Sequence, residues 1–524
     1  MGKRRVYVSC LGIVILLLSF AATAVEPEIT YEPITERDGF REVVVNTPLA
    51  NYLFSEDGGG VRSVLLTFAP YGSQVAELVY GTTSDASTFA RRYTVDAETS
   101  LDLRGEGADG TYTLEEPTYT DSGGLLLTFV GDLEAYTVTK RFTIEPDALY
   151  TVGLEVEVEA KPGAATDLRM TVGKYLAGDD ARDLVALYDD EPNEALLTSG
   201  SYFTFGGVGV MDKNVVFFLR PDDGDVVEAF AEGTESGGRR FGVTMDLAER
   251  TTYRFTLYAG RRRLLMMREA GIEALDEPGI GARAMAYVIQ FLNILYRATG
   301  NYGWAIILFT ILMRVVLFPL MRKQYHSMAK MQKIQPKMKR IQERYKDNKQ
   351  EMQQRVLELY KKEGVNPMGG CLPMLVQLPI IFLIWRALLY ASELIHLSPG
   401  FLWIPDLSLH DPLFILVVVT TLIMLVQQRY MTPTTGEGQG ATKYIGYIFP
   451  VMMAVLLWRF PAGLWLYYLL TTAAQVGQQA FVNWEMARAD GGTVPAFELD
   501  VDDEEPASPG EGEGDGDGGA EKGS

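Results

Sequence analysis

Hydrophobic and polar positions divide the chain into stretches of different period. Behind Lys3-Arg4-Arg5, about 20 mostly apolar residues run from Val6 to Val25. From 26 to 281 the apolar positions come in short runs, among them REVVVNT, VRSVLLTF, AYTVTKRFTI, YTVGLEVEVEA and TYRFTLYAG. These are rich in Val, Thr, Phe and Tyr and mostly bounded by Gly, Asp or Pro, which predicts β-strands. Some 250 residues of that pattern predict one large antiparallel sandwich. At residue 282 the period changes. Residues 282–300, ARAMAYVIQFLNILYRATG, predict an apolar-rich helix that either lies at the outer interface or packs on the apolar spans. Long apolar runs follow at 301–321, 369–391, 411–429, 443–460 and 462–484, near the roughly 20 residues a helix needs to cross a bilayer. Between the first two, residues 322–342 and 347–363 are charged and nearly free of helix breakers. With the Tyr345-Lys346-Asp347-Asn348 joint they predict a helical hairpin outside the apolar layer. Phe460-Pro461-Ala462-Gly463 predicts a tight turn between the last two runs.

Charge adds direction to this outline. The net charge is −21 and the hydrophobic content 47%, but both averages hide a partition. Residues 26–281 hold 46 acids and 22 bases, a balance of −24. Residues 489–524 hold 12 acids against one Lys, and their Gly-rich composition predicts disorder. The stretch 322–363 is the reverse, with 13 Lys and Arg against 5 acids. Basic loops stay on the cytoplasmic side, so this hairpin is expected inside. The loop 392–410, which has no Lys or Arg, is expected outside. Residues 1–25 read as a signal anchor or a cleaved signal peptide. The run is long enough to span, and Ala22-Thr23-Ala24 fits a small-residue cleavage site. Either way the segment from residue 26 is exported and the C-terminus is cytoplasmic. Cys10 and Cys371 give no disulfide framework, and His326, His396 and His410 form no metal motif. The expected fold class is a polytopic α-helical membrane protein with an exported all-β domain and a cytoplasmic helical hairpin.

Arg314 is the chemically informative residue. It lies in WAIILFTILMRVVLFPL, residues 304–320, where Thr310 is the other polar position. An arginine at that depth costs about 2.5–3.5 kcal/mol on insertion scales. Arg322 is eight residues on, roughly 12 Å at helical rise, so Arg314 is too deep for easy snorkelling. Thr310 shares its helix face. The last run carries a polar stripe of Tyr468, Thr471, Thr472, Gln475, Gln478 and Gln479 at helical spacing, and Gln377 lies between Pro373 and Pro379. No Asp or Glu lies deep in any apolar run. Neutral groups and water must therefore solvate the guanidinium, which implies a wet cavity. There is no P-loop, intramembrane Asp pair, His-Glu metal cluster or G-x-S-x-G elbow. The expectation is no enzyme, no metal and no cofactor, but binding or translocation of an anionic group.

The run QYHSMAKMQKIQPKMKRIQERYKDNKQEMQQRVLELYKKEGVNPMGGCLPMLVQLPI closely resembles the hairpin and following span of the YidC family of membrane protein insertases. FTILMRVVLFPL, DLSLHDPLFIL, MTPTT and FPAGLWLYYLL extend the resemblance across residues 282–488. It implies the Gram-negative form, with a galactose-mutarotase-like supersandwich in the periplasm (26–281), an interfacial helix (282–300) and a five-span core (301–488). It implies a groove open to cytoplasm and lipid, with Arg314, Thr310 and Tyr468 matching the family's functional arginine, threonine and tyrosine. Gln377, Thr472 and Gln475 complete the candidate groove. Clients would slide along the spans beginning at Gly369 and Lys443. Implied partners are nascent membrane proteins, the Sec translocon, the ribosome and membrane lipid, not DNA, and the implied location is the cell inner membrane. The tail ELDVDDEEPASPGEGEGDGDGG departs from the often basic tail of the family. The alternatives are an ion or solute transporter, though no internal repeat is visible, and a membrane-anchored carbohydrate-binding protein. A mutarotase-type site would need His, and residues 26–281 have none.

Overall fold

The computed structural model describes residues 28–489, leaving out 38, 70–75, 81–90, 97–99, 109, 177–182, 189–190, 194–199, 205, 212–213, 223–226, 234–237, 276–279, 365–371 and 432–439. The N-terminal anchor or signal segment, both cysteines and the acidic tail lie outside the described residues.

Alternating side chains build a β domain of three sheets with seven, ten and five strands among the described residues. The pairing is antiparallel except between Ala76–Tyr80 and Arg91–Asp96. The ten-stranded sheet is centred on Leu125–Leu133, Tyr136–Ile144, Thr151–Ala160 and Arg250–Arg261, paired in that order. In Tyr136–Ile144 every second residue is buried, as a strand with one covered face requires. Phe142 from this face packs 5.0 Å from Phe54 and 5.8 Å from Phe129, joining two sheets. The same phase carries Lys140 into the core, where it is fully buried. Its ammonium donates to the carbonyls of Gly58 and Leu101, both at 2.7 Å, and lies over the Tyr112 ring. Leu101 is held at φ 72°, a conformation a side chain adopts only under constraint.

After the last strand, α1 (Leu264–Glu269) and a short 3-10 turn (Glu273–Leu275) cover the same core with Met266, Met267 and Leu275. Helix α2 (Ile280–Thr299) buries Met285, Ile289 and Leu292 and exposes Tyr287 and Ile294, so one stripe faces the helical domain. Helix α3 runs unbroken for 43 residues, Tyr302–Arg344. The charge boundary at residue 322, where the apolar run gives way to the hairpin, is no break in the helix. Charge does not interrupt a helical backbone, and Pro319 and Pro336 are accommodated inside it. Asn301 caps α3 by accepting from the Gly303 N–H at 2.8 Å. Gly303 has no room for a side chain, since a Cβ would sit 2.1 Å from the Phe401 ring. Helix α4 (Lys349–Lys362) folds back on α3, capped by Asn348 and tied by Lys337 to Glu363.

The remaining helices are α5 (Leu372–Tyr390), α6 (Ser392–His396), α7 (Ile415–Met431), α8 (Gly440–Leu457) and α9 (Ala462–Ala489). Helix α9 packs between α3 and α7, α2 packs on α3 and α5, and α8 on α7. Asp411 is fully buried at the head of α7, accepting from the Trp403 indole and from the Leu413 and Leu416 N–H groups. Tyr302–Arg322 is long and apolar enough to cross a membrane, and Gln377–Tyr390, Ile415–Gln428 and Tyr447–Leu457 are shorter apolar stretches.

The two domains meet at a buried joint. Glu393 of α6 is wholly buried, 3.8 Å from Arg261 and 3.9 Å from Arg263 at the end of the β domain. The Leu264 N–H donates to the Tyr390 hydroxyl at 2.7 Å, and Phe68 stacks on His396 at 4.2 Å.

Candidate functional site

Helices α3 and α9 run side by side in the same direction. A Cβ on Gly463 would lie 3.1 Å from Ile306, Phe318 faces Phe481, and Arg322 pairs with Glu485. Between these crossings Arg314 lies level with the turn Thr471–Gln475. Spacings of four and seven residues put Thr310, Arg314, Met321 and Tyr325 on one stripe of α3. The facing stripe of α9 carries Tyr467, Thr471, Gln478 and Val482, and Met321, Tyr325 and Val482 close into a small apolar cluster.

Arg314 is 7% exposed, and among the described residues no carboxylate comes within ion-pair distance. Arginine stays charged, so neutral groups must answer it. One guanidinium nitrogen donates to Gln377 Oε1 of α5 at a long 3.4 Å. The Gln377 Nε2 donates in turn to the Tyr467 hydroxyl of α9 at 2.9 Å. Three helices thus meet through one carboxamide. Thr310 is buried one turn above, with its hydroxyl donating to the Ile306 carbonyl. Thr472 similarly donates to the Tyr468 carbonyl, leaving both hydroxyl oxygens their remaining acceptor capacity. Gln475 accepts from Gln427 of α7 at 3.4 Å. Tyr468 lies edge-on to Trp465 at 6.3 Å, on the neighbouring face to Tyr467. Toward the hairpin, Tyr325 donates to Gln478 at 3.5 Å, and Arg322 with His326 brackets Glu485. Gln324 is buried there, with neither amide atom bonded among the described residues, so the polar lining extends beyond Arg314.

Of the residues singled out in the sequence, Arg314 and Gln377 are brought into contact. Thr310 lies one turn away on α3, Thr472 and Gln475 lie on the turn of α9 level with Arg314 but bond elsewhere, and Tyr468 is outside the hydrogen-bonded chain. Tyr467 is the participant that sequence reasoning passed over. Its only signal was the pattern 467, 471, 478, which is as helical as the stripe through Tyr468. Leu378 and Phe382 of α5 and Ile448, Met452 and Val455 of α8 are 40–70% exposed. Large contiguous apolar patches are rare on soluble monomers and mark contact with protein or membrane. Among the described residues no group of His, Cys, Asp and Glu is arranged to hold a metal ion.

Residues 294–489 match the family model described as the 60Kd inner membrane protein. A membrane protein insertase YidC of Geobacter sp. (strain M21) is 31% identical over 483 residues, covering 84% of this chain and 85% of that one. The YidC of Syntrophus aciditrophicus (strain SB) reaches 41% over 233 residues, 44% of this chain and 42% of its own. Among solved structures, an active YidC insertase with its first transmembrane domain resolved superposes with a TM-score of 0.55. It covers 91% of this chain and 99% of its own at 24% identity, a likeness of fold.

Proposed function

We propose that this chain, which belongs to the YidC family of membrane protein insertases, inserts nascent membrane proteins into the inner membrane through the groove around Arg314. The observation that carries the reading is a buried guanidinium that, among the described residues, is answered by neutral groups alone. Such a cation is a standing attraction for an acidic residue in a client's polar end. Pairing with it offsets part of the cost of carrying that end into the bilayer. The apolar segment of the client then lies along the exposed apolar faces of α5 and α8. Release into lipid completes the step, at about −0.3 to −0.6 kcal/mol per Leu, Ile, Phe or Val. The partition itself drives this sequence without nucleotide hydrolysis.

In this reading α3, α5, α7, α8 and α9 span the membrane. The β domain and the loop 392–410 face the periplasm, and the α3–α4 hairpin and the C-terminus face the cytoplasm. The charge distribution supports that orientation. The ribosome meets the hairpin, the Sec translocon shares some clients, and lipid surrounds the spans. The test is insertion of an acidic-tailed client into proteoliposomes holding the purified protein. Arg314→Lys should keep most of the activity and Arg314→Ala little, because the positive charge matters and not the guanidinium fork. Equal insertion by Arg314→Ala and the unaltered protein would overturn the groove mechanism.

A further inference from the structure

We propose that Tyr467 is a positioning residue of this groove: its hydroxyl holds the Gln377 carboxamide with the oxygen end on Arg314. The inference rests on the groove reading above and adds a residue to it. The two contacts of Gln377 are unequal. The bond to Arg314 is 3.4 Å and the bond to Tyr467 is 2.9 Å, so the tyrosine is the tighter anchor. The amide nitrogen can only donate and the guanidinium has no acceptor. The amide must therefore offer its oxygen to Arg314 and find an acceptor for its nitrogen elsewhere. Tyr467, 3% exposed, is that acceptor. A phenylalanine in its place leaves the half-buried amide NH2 without this acceptor, which frees the flexible glutamine to turn toward water. Arg314 then loses the side-chain acceptor it has among the described residues. Its charge is left less well fixed toward an incoming carboxylate.

Tyr468 serves as the internal control. It is the adjacent residue of the same type, and no hydrogen bond joins it to Gln377 among the described residues. Tyr467→Phe should lower insertion of an acidic-tailed client about three- to tenfold, the worth of one hydrogen bond. A neutral-tailed client should be nearly unaffected. In a Gln377→Met background the same substitution should cost clearly less, because only its contact with Thr471 is then left to lose. Tyr468→Phe should cost the same in both backgrounds. If Tyr467→Phe lowers both clients equally, or loses as much again beside Gln377→Met, the tyrosine is a packing residue and the proposal is wrong. Should Gln377→Met alone insert nothing, the cycle is read in thermal unfolding of the detergent-solubilised protein. Non-additive shifts in Tm for Tyr467→Phe and Gln377→Met support the contact, and additive shifts overturn it. The unfolding cycle also separates the two proposals, because it stands or falls whether or not Arg314→Ala impairs insertion.

Discussion

A single polar side chain in an apolar environment is informative in proportion to what it costs. Arg314 was legible in the sequence because fifteen apolar neighbours in residues 304–320 make its charge expensive. Its partners were less so. Tyr467 and Tyr468 are one residue apart, about 100° around the helix, and both continue into polar stripes. Only the placement of α5 decides which hydroxyl meets Gln377. Lys140 illustrates the opposite case. The run YTVTKRFTI puts lysine in phase with Tyr136, Val138, Phe142 and Ile144, yet a charged residue is rarely placed in a core from pattern alone. Burial there lowers the Lys140 ammonium from 10.5 to about 7, and neighbouring Asp102 opposes that shift. Asp102 itself is raised by burial, partly countered by Lys140 and Arg104. The unfolded chain keeps the lysine proton up to about pH 10.5 while the folded domain releases it near 7. Between those values the unfolded state binds more protons, so stability rises with pH. Below pH 7 the full cost of the buried charge remains. Hydrogen exchange in Tyr136–Ile144 of the full-length protein should therefore slow, after correction for the intrinsic rate, from pH 7 to 9. Lys140→Met should abolish that gain. A wild-type trend that survives in Lys140→Met would assign the pH dependence to another group.

At the level of elements, period and charge located the helices well but divided them wrongly at one place. The apolar stretch 301–321 and the basic stretch 322–342 differ in every chemical respect, and they form one helix, Tyr302–Arg344. Burial changes along it while the hydrogen-bonding of the backbone does not. That continuity makes the hairpin a rigid extension of the stripe bearing Arg314, tied again by Arg322 to Glu485 of α9. A Gly-Ser-Gly-Ser insertion after Lys330 should break the extension and lower insertion severalfold. The same insertion in the Tyr345–Asn348 turn should be tolerated. Equal activity of the two would mean that the hairpin works as a tethered, independent module. The hairpin also carries the clustered cations, 13 Lys and Arg in 322–363, whereas 489–524 holds 12 acids against one Lys. Phosphate is attracted by the first and repelled by the second. Removal of residues 490–524 should leave ribosome association unchanged or slightly stronger, most visibly at low salt. Removal of 325–362 should abolish productive insertion. Loss of ribosome binding on tail removal alone would require a specific peptide contact in the tail.

For the whole molecule, sequence composition separated a β domain from a helical one but gave no means of joining them. Arg261-Arg262-Arg263 and Glu393 are 130 residues apart, and nothing in either segment names the other. In the folded chain Glu393 is buried between Arg261 and Arg263, flanked by Tyr390 against Leu264 and His396 against Phe68. Such a cluster gives orientation more readily than stability, because desolvation consumes most of the Coulomb gain. Breaking it from one side is the expensive change. Glu393→Gln keeps the shape, removes the charge and leaves two arginines facing each other, a loss on the order of 3–5 kcal/mol at the joint. The altered protein should show separate unfolding of the two domains and faster proteolysis between them. Insertion should nonetheless fall by less than about twofold if the β domain is an accessory to the groove, whose residues all lie in the helical domain. Deleting residues 40–260 tests the same point without a strained joint, since it exposes Glu393 to water when it removes the sandwich. Insertion largely retained in both proteins would make the joint an alignment device. Complete loss on deletion, with normal amounts of protein in the membrane, would show that the sandwich takes part in insertion.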